Sequence, residues 1–525
     1  MPESAGEVGK STWRRPREQF LAQSKISLRR DCIHSPHLGV MLSKPEKMKI
    51  FKQCIGDGRI LICVALVFAN AGLVIFSLRP KRTSEAEKTP ANAAIFDKPL
   101  ALVLVPQSGE SPVDKEIRRI QQQIRDGRNP ELALEQLGWV FVAKARESFD
   151  AGFYKLAEQC ALCIEKRNPQ SQEAMLLRGH VLHNLHRFKE SEALARRLVE
   201  RRGLSFDYGL LGDALMEQGK LTEAVDAYQR MMNLKPDLRA YARAAHMRWL
   251  KGDLEGAIEA MELAVSAASP QDAESAAWVN TRLAFYQFQA CRVNEAQQRC
   301  EFALSLQSNY PPTLLLQGRI LLAKSDFGEA VAILQKAVKL NPLPEYQWTL
   351  AEALRAACKE NEASDVETQL CQRGASSDPR TLALYLATRQ ESPETALRLA
   401  RAEFDSRSDV FSHDALAWSL AAAGKVSEAE SEMQRALAEG TQDARLFFHA
   451  GIIESQAGHS ADAERWLRKA SELSHLLLPS ERNEFQNAVT RGAEKKASVA
   501  ANPQKTFFAR TKYRTENPTE NLKNR

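Results

Sequence analysis

The chain has 525 residues, of which 44% are hydrophobic, 7% aromatic and 26% charged, and no stretch alternates as a sheet would, so the composition predicts an all-helical protein. We expect no nucleic-acid partner, because the net charge of +6 arises at the ends rather than on one folded face: residues 1–59 hold 12 Lys and Arg against 6 Asp and Glu, and residues 491–525 hold 9 against 3. Nine scattered cysteines exclude a small disulfide-stapled domain.

The first predicted elements are a basic, disordered extension over residues 1–59 and a transmembrane helix over residues 60–78. Ile60–Leu78 carries no charged side chain, and Arg59 and Arg79 bracket it. As a helix it would span ~28 Å, close to the ~30 Å hydrocarbon core of a bilayer. We therefore expect a single-pass membrane protein.

Two alternatives stay open for this segment. Ala69-Asn70-Ala71 fits a signal-peptide cleavage site, and Met48 begins a basic stretch that resembles a bacterial translation start. The positive-inside count is tied, because equal numbers of Lys and Arg flank the segment on its two sides. A single apolar segment ahead of a long domain more often exports that domain, so we expect the remaining chain to be extracytoplasmic.

A linker comes next, over residues 79–112, where five prolines surround one predicted extended piece, Leu100–Val105. A helical pattern then runs over residues 113–490, and a basic, disordered tail is predicted for residues 491–525. The boundaries of the helical part derive from the hydrophobic periodicity, which starts near Asp114.

The strongest signal in the helical part is a small residue that recurs at a nearly constant spacing, with one longer gap between Ala257 and Ala296. These ten ruler residues are Ala157, Ser191, Ala224, Ala257, Ala296, Ala330, Ala363, Ala396, Ala429 and Ala463. A globular domain has no reason to keep such a spacing, whereas a stack of similar helical hairpins requires it.

The residues around the ruler explain the spacing physically. In the third copy, Gly212 and Ala224 lack bulk, so two antiparallel helices can approach closely, and Tyr228 fills the space beside them. Gly219 ends the first helix, and Pro236 breaks the chain before the next pair. Similar sets recur around the later ruler residues.

This pattern resembles the tetratricopeptide repeat family over about residues 138 to 477. The resemblance implies a right-handed α-solenoid of about ten helical hairpins, with the first helix of each pair lining a concave groove. Two copies depart from the pattern, because Ser191 replaces the ruler alanine and Tyr385 occupies a position that favours a small residue.

The sequence predicts no catalytic residues, no cofactor and no metal site. Gly6–Ser11 imitates a phosphate loop with the wrong spacing. Cys160 and Cys163 have no second pair nearby, and His180, His183 and His186 lack the i, i+4 spacing and the nearby carboxylate typical of metal ligands on a helix. We therefore expect a protein that is not an enzyme.

Aromatic residues rimmed by charges are predicted to line the groove and bind a peptide, with the arginines binding acidic groups. The predicted groove residues are Trp249, Trp278, Phe285, Phe288, Arg319, Trp348, Glu352, Arg355 and Trp418. The alternative is that several of these aromatics are core between hairpins.

The favoured function is a membrane-anchored scaffold for protein or peptide partners; the alternative is an exported, signal-cleaved envelope protein that binds glycan or small ligands. The sequence does not indicate an oligomeric state.

Overall fold

The computed structural model describes residues 98–269 and 271–501. The predicted extension and the predicted membrane segment Ile60–Leu78 lie outside these residues. Of the helices that are described, none is both long and apolar enough to cross a bilayer.

The described residues contain twenty-three α-helices and no strand. In chain order they are α1 Lys98–Val103, α2 Pro112–Arg125, α3 Pro130–Ser148, α4 Gly152–Arg167, α5 Gln172–Asn184, α6 Phe188–Arg201, α7 Ser205–Glu217, α8 Leu221–Leu234, α9 Leu238–Leu250, α10 Leu254–Ser266, α11 Ala273–Gln289, α12 Val293–Leu306, α13 Pro311–Ala323, α14 Phe327–Leu340, α15 Pro344–Ala356, α16 Glu360–Ser377, α17 Pro379–Thr388, α18 Pro393–Phe404, α19 Val410–Ala422, α20 Val426–Leu437, α21 Ala444–Ala457, α22 Ser460–Glu472 and α23 Pro479–Ala501.

Helices α3 to α22 form ten consecutive hairpins, numbered here 1 (α3 and α4) to 10 (α21 and α22). Each helix packs most closely against its hairpin partner and then against the next hairpin. The predicted all-α solenoid of about ten hairpins is therefore confirmed over the described residues.

The ruler residues all lie on the second helix of their hairpins and are 0% to 5% exposed. They sit where the two helices cross, and the facing glycines show how little room is left. A Cβ added to Gly212 would lie 2.3 Å from Cε1 of Tyr228, and one on Gly318 would lie 2.5 Å from Leu334. The exception, Ser191, fits because its hydroxyl donates a hydrogen bond of 2.8 Å to the Gly179 carbonyl.

Both ends of the solenoid differ from the sequence-based expectation. The predicted extended piece Leu100–Val105 was wrong, because Lys98–Val103 is helical. Val103 is buried in a cluster with α2, α3 and α4, and the Gln121 amide donates to the carbonyls of Val103 (2.8 Å) and Val105 (2.9 Å). At the other end, α23 continues past residue 490 into the predicted tail.

Some hairpins also contact segments that lie far away in the sequence. We call this set of contacts the seam. The seam joins the turns of hairpins 3, 4 and 5 to the loops before hairpins 9 and 10 and after hairpin 10. Ser408 donates from its backbone N–H to Glu217 O (3.1 Å) and from its hydroxyl to Gln218 O (2.9 Å). The Thr441 hydroxyl donates to Leu250 O (2.6 Å), and His475 Nε2 donates to Phe288 O (2.8 Å).

Two glycines make the seam possible. Gly219 and Gly252 end the first helices of hairpins 3 and 4 with φ values of +70° and +79°. A Cβ on Gly219 would lie 2.3 Å from Ser408 O, and one on Gly252 would lie 2.4 Å from Gly440 O. Only glycine offers both the left-handed backbone and the missing side chain that this approach requires.

Candidate protein-binding surface

Five of the nine predicted groove residues are buried by other parts of this chain. Trp249, Phe288, Trp348, Glu352 and Trp418 are 2% to 4% exposed. The sequence-based expectation of open aromatic anchors therefore differs from the structure at these positions. Their part in partner binding stays a prediction.

The seam covers the first two of these residues. The indole of Trp249, at the end of α9, stacks on Phe411 from hairpin 9 with ring centroids 5.5 Å apart. The ring of Phe288, at the end of α11, meets His475 edge-on at 5.2 Å. The half-buried Phe285 packs edge-on against Trp249 at 5.2 Å and so supports the same contact.

Trp348 and Glu352 lie on α15 and are covered from the C-terminal end of the chain. The Glu352 carboxylate accepts hydrogen bonds from the indole N–H of Trp348 (3.2 Å) and from Ser480 at the start of α23. The Arg445 guanidinium from α21 lies 5.0 Å from the Trp348 ring centroid. Burial raises the pKa of Glu352, although the hydrogen bonds from Ser480 act in the opposite direction.

Trp418 is part of the core between neighbouring first helices. It lies parallel to His449 with ring centroids 4.0 Å apart, and its indole N–H donates to the Thr388 hydroxyl (3.0 Å). His449 Nδ1 in turn contacts an oxygen of Asp414 at 2.8 Å. The alternative assignment of some aromatics to the core therefore describes Trp418 correctly.

The two predicted groove arginines already have acidic partners. Arg319 lies 3.4 Å from Glu345, and Arg355 contacts both Glu360 and Glu367. These pairs join a first helix to its neighbour, so they also contribute to packing. Binding of a partner's acidic groups by these arginines stays a prediction.

A second surface, which was not predicted from the sequence, runs along the first helices of hairpins 1 to 5. We call it the first-helix row, and it consists of Trp139, His180, Phe206, Arg239, Trp278 and Arg282. The rings of Trp139 and Phe206 lie 6.3 Å apart, and His180 lies 5.4 and 6.4 Å from them. Arg239 extends the row over the Phe206 ring at 5.6 Å. Trp278 is 38% exposed, and the other aromatic rings of the row are half-buried.

The row contains two arginines, Arg239 and Arg282, that form no ion pair with a carboxylate of the described residues. Arg282 donates from Nη2 to the Tyr286 hydroxyl and to His246 Nδ1, both at 3.1 Å, and its guanidinium lies 4.8 Å from the Phe285 centroid. Burial and the charge of Arg282 lower the pKa of His246 to about 3, so this histidine is neutral and can accept the hydrogen bond. Across the described residues, no carboxylate forms an ion pair with Arg239 or Arg282, whereas the neighbouring Arg243 is paired with Asp213.

A simple rule could have found most of this row from the sequence. Trp139, Phe206, Arg239 and Trp278 all stand at the same distance in sequence before a ruler residue. The same position holds Phe411 and Arg445, the residues that cover Trp249 and Trp348. The same position in each repeat therefore supplies both most of the row and the residues that cover Trp249 and Trp348.

The potential metal ligands considered from the sequence do not converge in the structure. Burial lowers the pKa of His180 to about 3 and that of His186 to about 4, and the rings of His183 and His186 pack on Phe188. Cys160 and Cys163 are buried. Elsewhere in the described chain, Glu430, Glu454 and His459 have their ligand atoms within 4.8 Å of one another. His459 Nδ1 lies 2.9 Å from both carboxylates and has a raised pKa, as expected of an ion pair.

Comparison with known proteins supports the repeat assignment. Residues 210–273 and 315–375 match the tetratricopeptide repeat family. No curated protein sequence matches the chain.

Several solved structures resemble the chain at low sequence identity. A human IFIT1 dimer with PPP-AAAA has 12% identity and a TM-score of 0.40, with 71% of this chain and 93% of that chain covered. Yeast Tom70 has 12% identity and a TM-score of 0.32, with 76% and 99% covered. The APC/C hetero-tetramer Cut9-Hcn1 has 14% identity and a TM-score of 0.36, with 72% of this chain but only 63% of that chain covered.

The two segments that match the family lie in hairpins 3, 4, 6 and 7, inside an uninterrupted array of similar hairpins. This fold is typical of scaffolds for protein interaction. The described chain is therefore a tetratricopeptide-like α-solenoid.

Proposed function

We propose that this chain is a non-enzymatic scaffold that binds protein partners through the first-helix row. The observation that carries the proposal is the composition of the row, in which partly exposed aromatic rings lie together with two arginines that form no ion pair among the described residues. Aromatic and arginine side chains contribute most of the binding energy at protein interfaces. A partner segment with apolar and acidic side chains would complement the row in both shape and charge.

The test compares two exposed aromatics of hairpin 5. Trp278, on the first helix, is 38% exposed, and Phe302, on the second helix, is 49% exposed. Affinity-tagged full-length chain with Trp278→Ala should capture at least tenfold less partner protein from cells that express it, because the row loses an anchor. Phe302→Ala should capture as much as the wild type. Equal capture by the two variants would contradict the assignment to the row.

We also propose that Ile60–Leu78 anchors the scaffold in a membrane, with the solenoid on the extracytoplasmic side. The support is the length and the uncharged composition of this segment. Full-length protein should sediment with membranes and resist a high-salt wash. A mature chain that begins near Gly72 in N-terminal sequencing would contradict the anchor and favour the exported envelope protein.

A further inference from the structure

The segment after hairpin 10 does more than cover the end of the solenoid. We call residues Leu477 to Phe485, which are the two residues before α23 and the start of that helix, the closing segment. A cap would need to contact only the last hairpin. Ser480, however, hydrogen-bonds to Glu352 in hairpin 7, which lies 128 residues earlier in the chain.

The closing segment packs against the solenoid as a bound peptide would, with its side chains buried at the start of a helix. Leu477, Leu478 and Phe485 are almost fully buried, and Glu481 is completely buried. One oxygen of Glu481 accepts from Arg445 Nε (2.6 Å), and the other accepts from the Leu478 backbone N–H (2.9 Å). The ring of Phe485 meets Phe448 edge-on at 6.4 Å. Apolar contacts at both ends thus flank a polar centre formed by Ser480 and Glu481.

The surface beneath the closing segment is built around a buried carboxylate that the solenoid does not satisfy by itself. Glu352 accepts three hydrogen bonds: one of 3.2 Å from Trp348, one of 2.9 Å from the Ser480 backbone N–H and one of 2.6 Å from the Ser480 hydroxyl. Two of the three therefore come from the closing segment. A buried carboxylate that loses its donors is costly, so this surface demands an occupant that brings an N–H group and a hydroxyl.

Arg445 binds the acidic residue of the closing segment, as Glu352 binds its serine. Its guanidinium lies over the Trp348 ring and pairs with Glu481. Glu352 and Arg445 together therefore select a helix start with a hydroxyl residue followed directly by an acidic one. The free N–H groups at a helix start are suited to a carboxylate such as Glu352.

We propose that the surface formed by Trp348, Glu352, Arg445 and Phe448 is a second binding site, which the closing segment occupies as an intramolecular ligand. The partner that it fits is a protein segment with two apolar residues directly before a helix, a Ser or Thr and a Glu at the second and third positions of that helix, and an aromatic residue four positions after the Glu. Such a helix displaces the closing segment, so the free chain holds this site shut. The site shares no residue with the first-helix row, so it stands independently of the function proposed above.

The test uses full-length protein and a fluorescent synthetic peptide of residues 474–494. The variant Ser480→Ala with Phe485→Ala weakens the closing segment and leaves the surface beneath it unchanged. The peptide should bind this variant at least tenfold more tightly than it binds the wild type, as measured by fluorescence anisotropy. Adding Glu352→Gln to the variant should remove the gain, and a peptide with the same two alanines should bind weakly to every form.

Three outcomes would overturn the proposal. The first is equal peptide affinity for the wild type and the variant, and the second is a gain that persists with Glu352→Gln. The third is a wild-type dimer in which isotope-labelled and unlabelled copies exchange the closing segment. That result would show that the occupant of the site comes from a second copy of the chain. If the double variant shows reduced helical content, Ser480→Ala alone serves as the weakened form, with a smaller gain expected in the same direction.

Discussion

The seam can form only where a Cβ atom is missing, and alanine substitutions at two glycines test this. Gly219 and Gly424 both end a first helix with positive φ (+70° and +73°), but only Gly219 faces another part of the chain. Alanine at Gly424 should cost about 1 to 2 kcal/mol for the left-handed backbone alone. Alanine at Gly219 should cost about 1 to 3 kcal/mol more, because its Cβ overlaps the Ser408 carbonyl. Urea unfolding of both variants measures the difference, and equal losses would contradict the seam.

Two half-buried histidines of the first helices, His180 and His246, predict how stability changes with pH. His180 and His246 have a pKa of about 3 in the folded chain, whereas an unfolded histidine has a pKa of about 6.5. Between these values the unfolded chain binds more protons, so the free energy of unfolding falls as the pH drops from about 6.5 towards 3. Each histidine accounts for at most about 2 kcal/mol between pH 7 and pH 5.

His246→Asn keeps an acceptor near Arg282 but cannot titrate. In urea unfolding, this variant should therefore lose less stability than the wild type when the pH is lowered from 7 to 5. His459, which has a raised pKa and is exposed, shifts in the opposite direction and serves as the control position. A loss in His246→Asn as large as in the wild type would show that this histidine is not held neutral.

At the scale of the element, each hairpin depends on a small residue where its two helices cross. On α14, Ala330 is buried against the first helix and Ala332 is exposed. Ala330→Leu should therefore reduce the free energy of unfolding by about 1 to 3 kcal/mol, because the helices must separate. Ala332→Leu has the same change in helix propensity and should stay within about 0.5 kcal/mol of the wild type in denaturant unfolding.

The elements could be predicted from the sequence because their causes are local. The crossing of two helices needs Gly212, Ala224 and Tyr228 within one short stretch of chain, and this requirement recurs in each hairpin. The burial of Trp249 and Trp348 has no such local cause, because it depends on Phe411 and Arg445, which lie several hairpins further on. Whether these segments meet depends on small rotations that accumulate from hairpin to hairpin, and no spacing in the sequence reports them.

At the scale of the whole described solenoid, the seam adds contacts that a simple stack of repeats lacks. Thr441 and Thr368 each donate a hydroxyl hydrogen bond to a backbone carbonyl, but Thr441 reaches Leu250 across the seam and Thr368 bonds to Ser364 in its own helix. Thr441→Val should speed amide exchange in hairpin 4 as well as in hairpin 10. Thr368→Val should change exchange only near its own site. Exchange measured by mass spectrometry on both variants tests the coupling, and an effect of Thr441→Val confined to hairpin 10 would contradict it.

The seam also sets the order in which the protein can reach its final stability during synthesis. Hairpin 3 ends at Leu234, and five more hairpins must be synthesised before Ser408 leaves the ribosome. Each early hairpin can form its own core as it emerges, but the turns of hairpins 3 to 5 must wait, uncovered, for the last quarter of the chain. Closing loops of this length is slow compared with forming a hairpin. The nascent solenoid therefore passes through a long stage in which Trp249 and Phe288 lack the residues that later cover them, and this is the stage at which a chaperone would find a binding site.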